Sequence, residues 1–525
     1  MKGLNVLVSS GKGDRDWEEY ALRDIPIDLC ICITRYEDCL PDLPAREYIW
    51  YEGNSLHLVD FNRIRPLDEE VIESMRHAEA VFLNFLTRAE RKRAISYQER
   101  KREYLQCLRY WNHIFTEKGI DFFISNDIPH FGFDYIPYML CRQRGIPMFL
   151  FSNMRLVRDA LFLMDDWENP TPKLKEVYER LKSEHPKGDV TLLPRYEEYF
   201  RSQTEKSIDP TPWHMQGKKA FAVSKPPPLI TSSRIAPLKK GPSLRDFLLF
   251  IPRRLKFSYW QSHILQRLRD SEKRRTFAFY DAHTVVPDLK KRYVYLALHM
   301  QPECTTAPMA GAYVDQQLMV EMLNALLPED VLLYVKEHPD QGKRSFDTGC
   351  RSIDFYKGIL ACKKVRLIPR TFRTFDLMEN AVAIATATGS PGFEALFRGK
   401  PVFMFGHRFY QDAPGVFQIH STDDCRKAVK AIFEQGVRPT LPELRCFLKA
   451  IEEIAIPAAV NPDDAGASQY SWEEQVKVIG GALRERIEEK LGDRLSKVSS
   501  QGGISAHPTI HRMMGATGMW RANGK

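Results

Sequence analysis

Ala381-Val-Ala-Ile-Ala-Thr-Ala-Thr388-Gly389-Ser390-Pro391-Gly392-Phe393-Glu394-Ala395-Leu396 reads as a buried strand that runs into a helix. Small apolar residues carry the strand, and hydroxyl, glycine and proline residues then break it. A short helix follows over Gly392–Phe397, closed by Gly399, and Pro401–Phe405 starts the next strand. Strand, turn, helix and strand in that order build a parallel sheet. Glycine lets the backbone approach a ligand, and the free N–H groups of a helix start suit a phosphate. Thr388, Gly389, Ser390 and Gly392 are thus candidate phosphate contacts, and Glu394, a turn into the helix, is placed to accept from a ribose diol. Ligands in open α/β sheets bind outside the carboxyl ends of strands, where this turn lies. The same residues also fit a plain turn in which Ser or Thr caps the helix and Glu394 faces water.

Outward from this stretch the alternation continues. Tyr293–Leu298, Val331–Lys336 and Val365–Ile368 read as strands, Pro308–Leu327 as an amphipathic helix and Trp472–Leu491 as a final helix. The N-terminal part repeats the pattern. Leu4–Val8, Asp28–Ile33, Ala80–Leu83, Phe122–Ile124 and Met148–Phe151 read as strands, Glu69–His77 and Arg88–Lys118 as helices. The expected fold is α/β, with two Rossmann-like doubly wound domains, 1–155 and 291–492. Residues 156–290 break the pattern with Pro170–Pro172, Pro210–Pro212 and Pro226–Pro228, which marks a connector or cap, and 493–525 read as a disordered tail.

The 525 residues are 43% hydrophobic and 27% charged, which excludes collagen-like, largely disordered and disulfide-stapled classes. No apolar run is long enough for a membrane span, and the first residues lack a secretory leader. The ten cysteines form no CxxC pair, and Cys30-x-Cys32 sits in an apolar run, so free buried thiols inside the cell are expected. The net charge of +8 is unevenly spread. Residues 218–292 hold eighteen Lys and Arg against five acids, so the rest of the chain is slightly acidic. Phe247–Ile251 and Phe257–Trp260 alternate with Arg253, Arg254 and Lys256 there. The segment suits either an anionic membrane face or a solvated connector packed on its neighbours. No nucleic-acid-binding motif accompanies the charge, and no nucleic-acid partner is expected.

Three further stretches end strands with reactive groups. Lys336-Glu337-His338-Pro339 delivers a cation, an acid and an imidazole whose pKa lies near neutrality, apt for a phosphate oxygen or a leaving group. Leu296-Ala-Leu-His299-Met-Gln301-Pro302-Glu303 brings Gln301 and Glu303 to the same edge, and Arg370 adds a cation after Val365–Ile368. In the N-terminal part, Ser125-Asn126-Asp127-Ile-Pro-His130-Phe-Gly-Phe-Asp134 gathers Asp127, His130 and Asp134, which suits activation of a hydroxyl nucleophile or a capped helix with a His–Asp pair. Gly11-Lys12-Gly13-Asp14-Arg15-Asp16 offers a glycine turn and an Asp-x-Asp, as apt for a helix cap as for a metal. No paired metal-ligand spacing occurs, and no metal is expected.

Lys336-Glu-His-Pro339, Thr388-Gly-Ser-Pro-Gly-Phe-Glu-Ala-Leu396, Gly399-Lys-Pro-Val402 and Leu298-His-Met-Gln-Pro-Glu303 together resemble bacterial capsule polysaccharide biosynthesis proteins, in pattern the capsule Kdo transferases and the bacterial sialyl- and polysialyltransferases. The resemblance covers about residues 291–410 and implies a GT-B fold, two Rossmann-like domains facing a cleft. It implies a nucleotide-sugar donor gripped by His338 with Thr388, Ser390 and the backbone at Gly389 and Gly392, Glu394 taking the ribose. Acceptor chemistry then falls to Asp127, His130 or Asp134, without a metal or any cofactor beyond the nucleotide-sugar substrate. The family's acid-acid-Gly motif is not found here. The implied partners are a nucleotide-sugar donor and a glycan or lipid-linked glycan acceptor, in the cytoplasm and peripheral on the inner membrane. A nucleotide-sugar epimerase, a glycerophosphotransferase and a non-catalytic assembly protein suit the same crevice.

Overall fold

The computed structural model describes residues 3–11, 13–34, 43, 47–51, 56, 59–86, 95–211, 257–342, 350–460, 462–499 and 509–513. Among the described residues thirteen strands form two sheets. The first holds β1 (Leu4–Ser9), β2 (Ile27–Ile33), β3 (Glu47–Tyr51), β4 (Phe122–Ser125), β5 (Met148–Asn153), β6 (Leu161–Met164) and β13 (Thr509–Met513). Its order is β13-β3-β2-β1-β4-β5-β6, with only β6 antiparallel to its neighbour. The second holds β7 (Tyr293–Ala297), β8 (Leu332–Lys336), β9 (Val365–Ile368), β10 (Ala383–Thr386), β11 (Val402–Met404) and β12 (Val416–Gln418). Its order is β12-β11-β10-β7-β8-β9, parallel throughout. Both are doubly wound, as the alternation of strands and helices predicts.

Strands covered on both faces must be apolar on both, and these are. Every residue of β1 and β2 is buried, with Leu7 packing into one apolar cluster and Val6 and Val8 into another. Cys30 and Cys32 are buried free thiols there. Helices cover the faces by the usual devices. Tyr97–Lys118 starts on a Ser96–Glu99 capping box and stops at Gly119, whose φ of 66° favours glycine. Ala80–Leu83, expected as a strand, lies in the helix Arg76–Phe85, where Ala78, Val81, Phe82 and Phe85 form one buried stripe. The helix expected from Pro308 begins only at Gln317, after a 3-10 turn at Gly311–Val314.

The segment read as a connector is partly structured. It contributes β6 and the helices Pro172–Glu184 and Pro194–Thr204, and then, beyond the undescribed 212–256, the helix Phe257–Ala282. The basic residues of 218–256 therefore lie outside the described residues. After the second sheet the chain returns to the first unit. Helix Leu441–Ile454 packs on Pro172–Glu184, with the Tyr178 and Phe447 rings 5.4 Å apart and Arg445 ion-paired to Glu197 at 2.5 Å. Helix Trp472–Ser499 packs on Arg15–Leu22, its Ile479, Leu483, Ile487 and Leu491 sharing a cluster with Val6, Trp17 and Leu22. This last helix, expected within a unit running from 291 to 492, thus belongs with the first sheet. Residues 493–499 continue it and 509–513 form an edge strand, so neither stretch is the disordered tail expected from 493.

Candidate functional site

The order of the second sheet reverses at β7, which puts a topological switch point between the carboxyl ends of β7 and β10. His299 follows β7, His338 follows β8, and Thr388 to Ser390 follow β10, so all three turns leave the same edge from three adjacent strands, β10, β7 and β8. His299 fastens them. Its Nε2 accepts the backbone N–H groups of Ala387 at 3.0 Å and Thr388 at 3.2 Å, and lies 2.9 Å from the Thr386 hydroxyl. An imidazole nitrogen that accepts two N–H bonds carries no proton, which places the ring proton on Nδ1. Burial, with help from the charges of His338, Arg351 and Arg408, lowers its pKa to about 3, so the ring is neutral at physiological pH.

A second tie runs through Arg351. Its Nε donates to Glu337 Oε2 at 2.6 Å, one Nη to the His299 carbonyl at 2.9 Å and the other to the Gln301 side chain. Tyr356 donates to the same Glu337 oxygen at 2.7 Å, and Glu337 Oε1 accepts the backbone N–H of His338 at 2.7 Å. Glu337 and Arg351 are an almost fully buried ion pair. Their role here is to set the turn that presents His338, which itself is half-buried, its Nδ1 accepting from the Asp340 backbone at 3.1 Å. Gln301 is also held by Gln341 at 2.7 Å, and Glu303 accepts from Thr306 through its carbonyl at 2.8 Å.

The Thr388–Glu394 turn satisfies most of its own polar groups. Gly389 N–H donates to Thr386 Oγ1 at 3.1 Å, Gly392 N–H to the Gly389 carbonyl at 3.1 Å, and the Thr388 hydroxyl to the Thr305 carbonyl at 2.7 Å. A side chain at Gly392 would meet the Tyr410 hydroxyl at 2.5 Å, so glycine there serves close packing. Glu394 is buried, its carboxyl bonded to Ser390, and burial raises its pKa. Ser390 is half-buried at the mouth of the turn. Lys336 is buried and points to Thr374 Oγ1 at 2.8 Å, and burial lowers its pKa to about 8. Arg370 stands apart: it pairs with Asp281 at 2.8 Å and lies 4.9 Å over the Phe277 ring, tying the helix Phe257–Ala282 to the sheet.

In the first unit, Asp127 is exposed at the end of β4, its Oδ1 accepting the Ile128 N–H at 2.8 Å. His130 donates from Nδ1 to the Ile128 carbonyl at 2.7 Å, and Asp134 is buried in the first helical turn, accepting the Phe131 N–H at 2.8 Å. Of the two carboxylates, Asp127 and Asp134, only Asp127 is exposed. Asp14 is fully buried, bridging Gly11 N–H and Asn126, and burial raises its pKa to about 7; Glu18 beside it is buried too. Among the described residues no three His, Cys, Asp or Glu side chains gather as a metal site.

Sequence reasoning passed over His299, Arg351 and Arg408. His299 lay in a quoted stretch, at a strand's end beside the glycine turn, and that position was its only signal. Arg351 lies 52 residues from His299, and no spacing rule links them.

The fold is thus a pair of Rossmann-like units with polar and titratable groups gathered at a switch point. Residues 287–434 match the family described as "Capsule polysaccharide biosynthesis protein", which bears out over that segment the resemblance seen in the sequence. No curated protein matches the chain. Solved structures similar to it include the KpsC beta Kdo 2,7 transferase of Thermosulfurimonas dismutans, 12% identical over 74% of this chain and 91% of that one, with a TM-score of 0.28. The KpsC beta Kdo 2,4 transferase of the same organism is 15% identical over 75% and 91%, with a TM-score of 0.25. The UDP-GlcNAc 2-epimerase of Methanocaldococcus jannaschii is 11% identical over 86% and 99%, with a TM-score of 0.24. No helix among the described residues is long and apolar enough to cross a membrane.

Proposed function

We propose that this protein is a GT-B-type, metal-independent glycosyltransferase that moves a sugar from a nucleotide-sugar donor onto a glycan or lipid-linked glycan in surface polysaccharide synthesis. The observation that carries the reading is the fastening of the β7, β8 and β10 turns by His299 and Arg351, which holds His338, Thr388 and Ser390 along one edge of the second sheet. The family match covers this segment. In this scheme His338 and the backbone N–H of Ser390, at the start of its helix, hold the donor phosphate. Asp127 takes the proton of the acceptor hydroxyl, whose oxygen bonds to the anomeric carbon as the bond from that carbon to the phosphate oxygen breaks. The nucleotide phosphate leaves with the electron pair, and fixed positive charge stabilises it.

A thermal-shift panel of CMP-, UDP-, GDP- and CDP-linked sugars tests this. At least one donor is expected to raise the melting temperature of the wild type and to lose most of that effect in His338→Ala. A wild type indifferent to every donor would refute the reading. The basic segment 218–292 is assigned to an anionic membrane face, which would bring a lipid-linked acceptor to the crevice.

A further inference from the structure

Arg408 follows β11 and stands in an unusual setting for a cation. Among the described residues it makes no ion pair. Its single hydrogen bond is a weak one, from Nη1 to the Met309 sulfur at 3.6 Å, and its guanidinium lies 5.9 Å from the Phe409 ring centre. Yet the residue is only partly open to water: burial lowers its pKa, and the charged groups within its reach are Asp127 and Arg155. A charge drawn out of water without a partner is costly, and natural sequences retain one where a ligand supplies the partner. Asp127, the exposed carboxylate of the first unit, is within electrostatic reach of Arg408 but forms no ion pair with it. The acid of one unit thus acts on the cation of the other without pairing with it.

A second donor lies close to Arg408. His299 lies within the field of Arg408, and its Nε2 is committed to the Ala387 and Thr388 amides. Its proton is on Nδ1, and that N–H makes no hydrogen bond among the described residues, while the residue as a whole is 8% exposed. Sealed polar atoms without partners occur elsewhere, at Arg195 Nε and His407 Nδ1 for example, but neither His299 Nδ1 nor any Arg408 nitrogen is among them. The Nδ1–H of His299 and the nitrogens of Arg408 not bonded to Met309 are thus unpaired donors that are not sealed from solvent. The loop bearing Arg408 is fixed to the site by backbone bonds from His407 to Met309 at 2.9 Å and from Gly406 to Ala387 at 3.0 Å, and by the Tyr410 hydroxyl on the Gly389 carbonyl.

We propose that Arg408 and the Nδ1–H of His299 form an oxyanion seat between the two units, occupied by an anionic oxygen group of the ligand, either a phosphate or a sugar carboxylate. A forked guanidinium binds either with two parallel N–H bonds, and a neutral imidazole adds a third without a second positive charge to desolvate. The proposal rests on the glycosyltransferase reading for the identity of the ligand, and it adds residues that the family resemblance did not supply.

The full-length protein is titrated calorimetrically with inorganic phosphate and, separately, with glucuronate, and then with whichever donor stabilises it. Wild type is expected to bind at least one of the two anions saturably, and Arg408→Met to bind it about tenfold more weakly or worse. Phosphate binding alone identifies the seat with the leaving group, and glucuronate binding alone identifies it with an acidic sugar. Unliganded Arg408→Met is expected to melt no lower than wild type, since it loses an unpaired charge. Arg408→Lys, which keeps the charge and loses the fork, is expected to bind between the two and covers the case in which the methionine variant does not fold. Wild-type affinity for both anions in the variants, or no saturable binding of either by the wild type, would overturn the seat. If a nucleotide sugar still binds in a His338-dependent way, the seat alone is lost; if none binds, the glycosyltransferase reading falls with it.

Discussion

Single residues at this site are held in unfavourable states by their neighbours. Lys336 is a buried ammonium with one hydroxyl partner, Thr374, and its pKa falls from 10.5 to about 8 because burial disfavours the charge. Between those two values the unfolded chain binds a proton that the folded chain does not, so folding becomes more favourable as pH rises. Urea titrations of wild type and Lys336→Met should therefore show the wild type gaining on the variant from about pH 8 to 10.5. A difference that stays flat across that window would mean that the ammonium finds a partner in solution. Glu337, by contrast, was legible in the sequence as an acid but not in its function. The Lys-Glu-His-Pro stretch suggests three groups aimed at a ligand, whereas Glu337 is spent on Arg351, Tyr356 and the His338 amide. A motif states which residues are close in sequence, and the partner 14 residues away decides what each one does.

Among elements, those read most securely from the sequence are the strands buried on both faces. β1, β2, β4, β5 and β7 to β11 each appear as an apolar run within a residue or two of its bounds. Ala80–Leu83 was misread because four apolar residues in a row satisfy a buried strand and a helix alike, and the signal lay in the wider stripe from Ala78 to Phe85. β12 was missed since its Val416–Gln418 are only half-buried and carry no apolar run. The helix Trp472–Ser499 was found, but its address was not, because an amphipathic stripe says that something must cover it and not what. Leu483, fully buried between this helix and the first sheet, tests the address. Leu483→Ala should cost about 2–5 kcal/mol in urea denaturation, while leaving donor-induced stabilisation proportionate. A loss near zero would place the helix in solvent.

For the whole molecule, two sheets, parallel but for the antiparallel edge strand β6, are what the alternation of strands and helices predicts, and the family match on 287–434 agrees with the motifs that suggested it. What the sequence left open is how the units connect, since contacts between residues hundreds apart leave no periodic trace. The charge distribution belongs to this scale as well. The basic segment 218–292 should carry the protein to the top of a density gradient with anionic vesicles and not with neutral ones. Reversing the charges of Arg253, Arg254, Lys256, Arg267, Arg269, Lys273, Arg274 and Arg275 should abolish that flotation, and equal flotation after reversal would remove the membrane assignment.

The return of Trp472–Ser499 to the Arg15–Leu22 helix has a bearing on how the halves can be separated. A piece ending before that helix would lack one wall of its own interior, with Val6, Trp17 and Leu22 laid bare to water. Two-plasmid production of 1–290 and 291–525 should consequently yield a single copurifying particle, and each piece made by itself should precipitate. Evolution by swapping one half for another is awkward under such an arrangement, because every transplanted second unit brings along a rib of its host's neighbour.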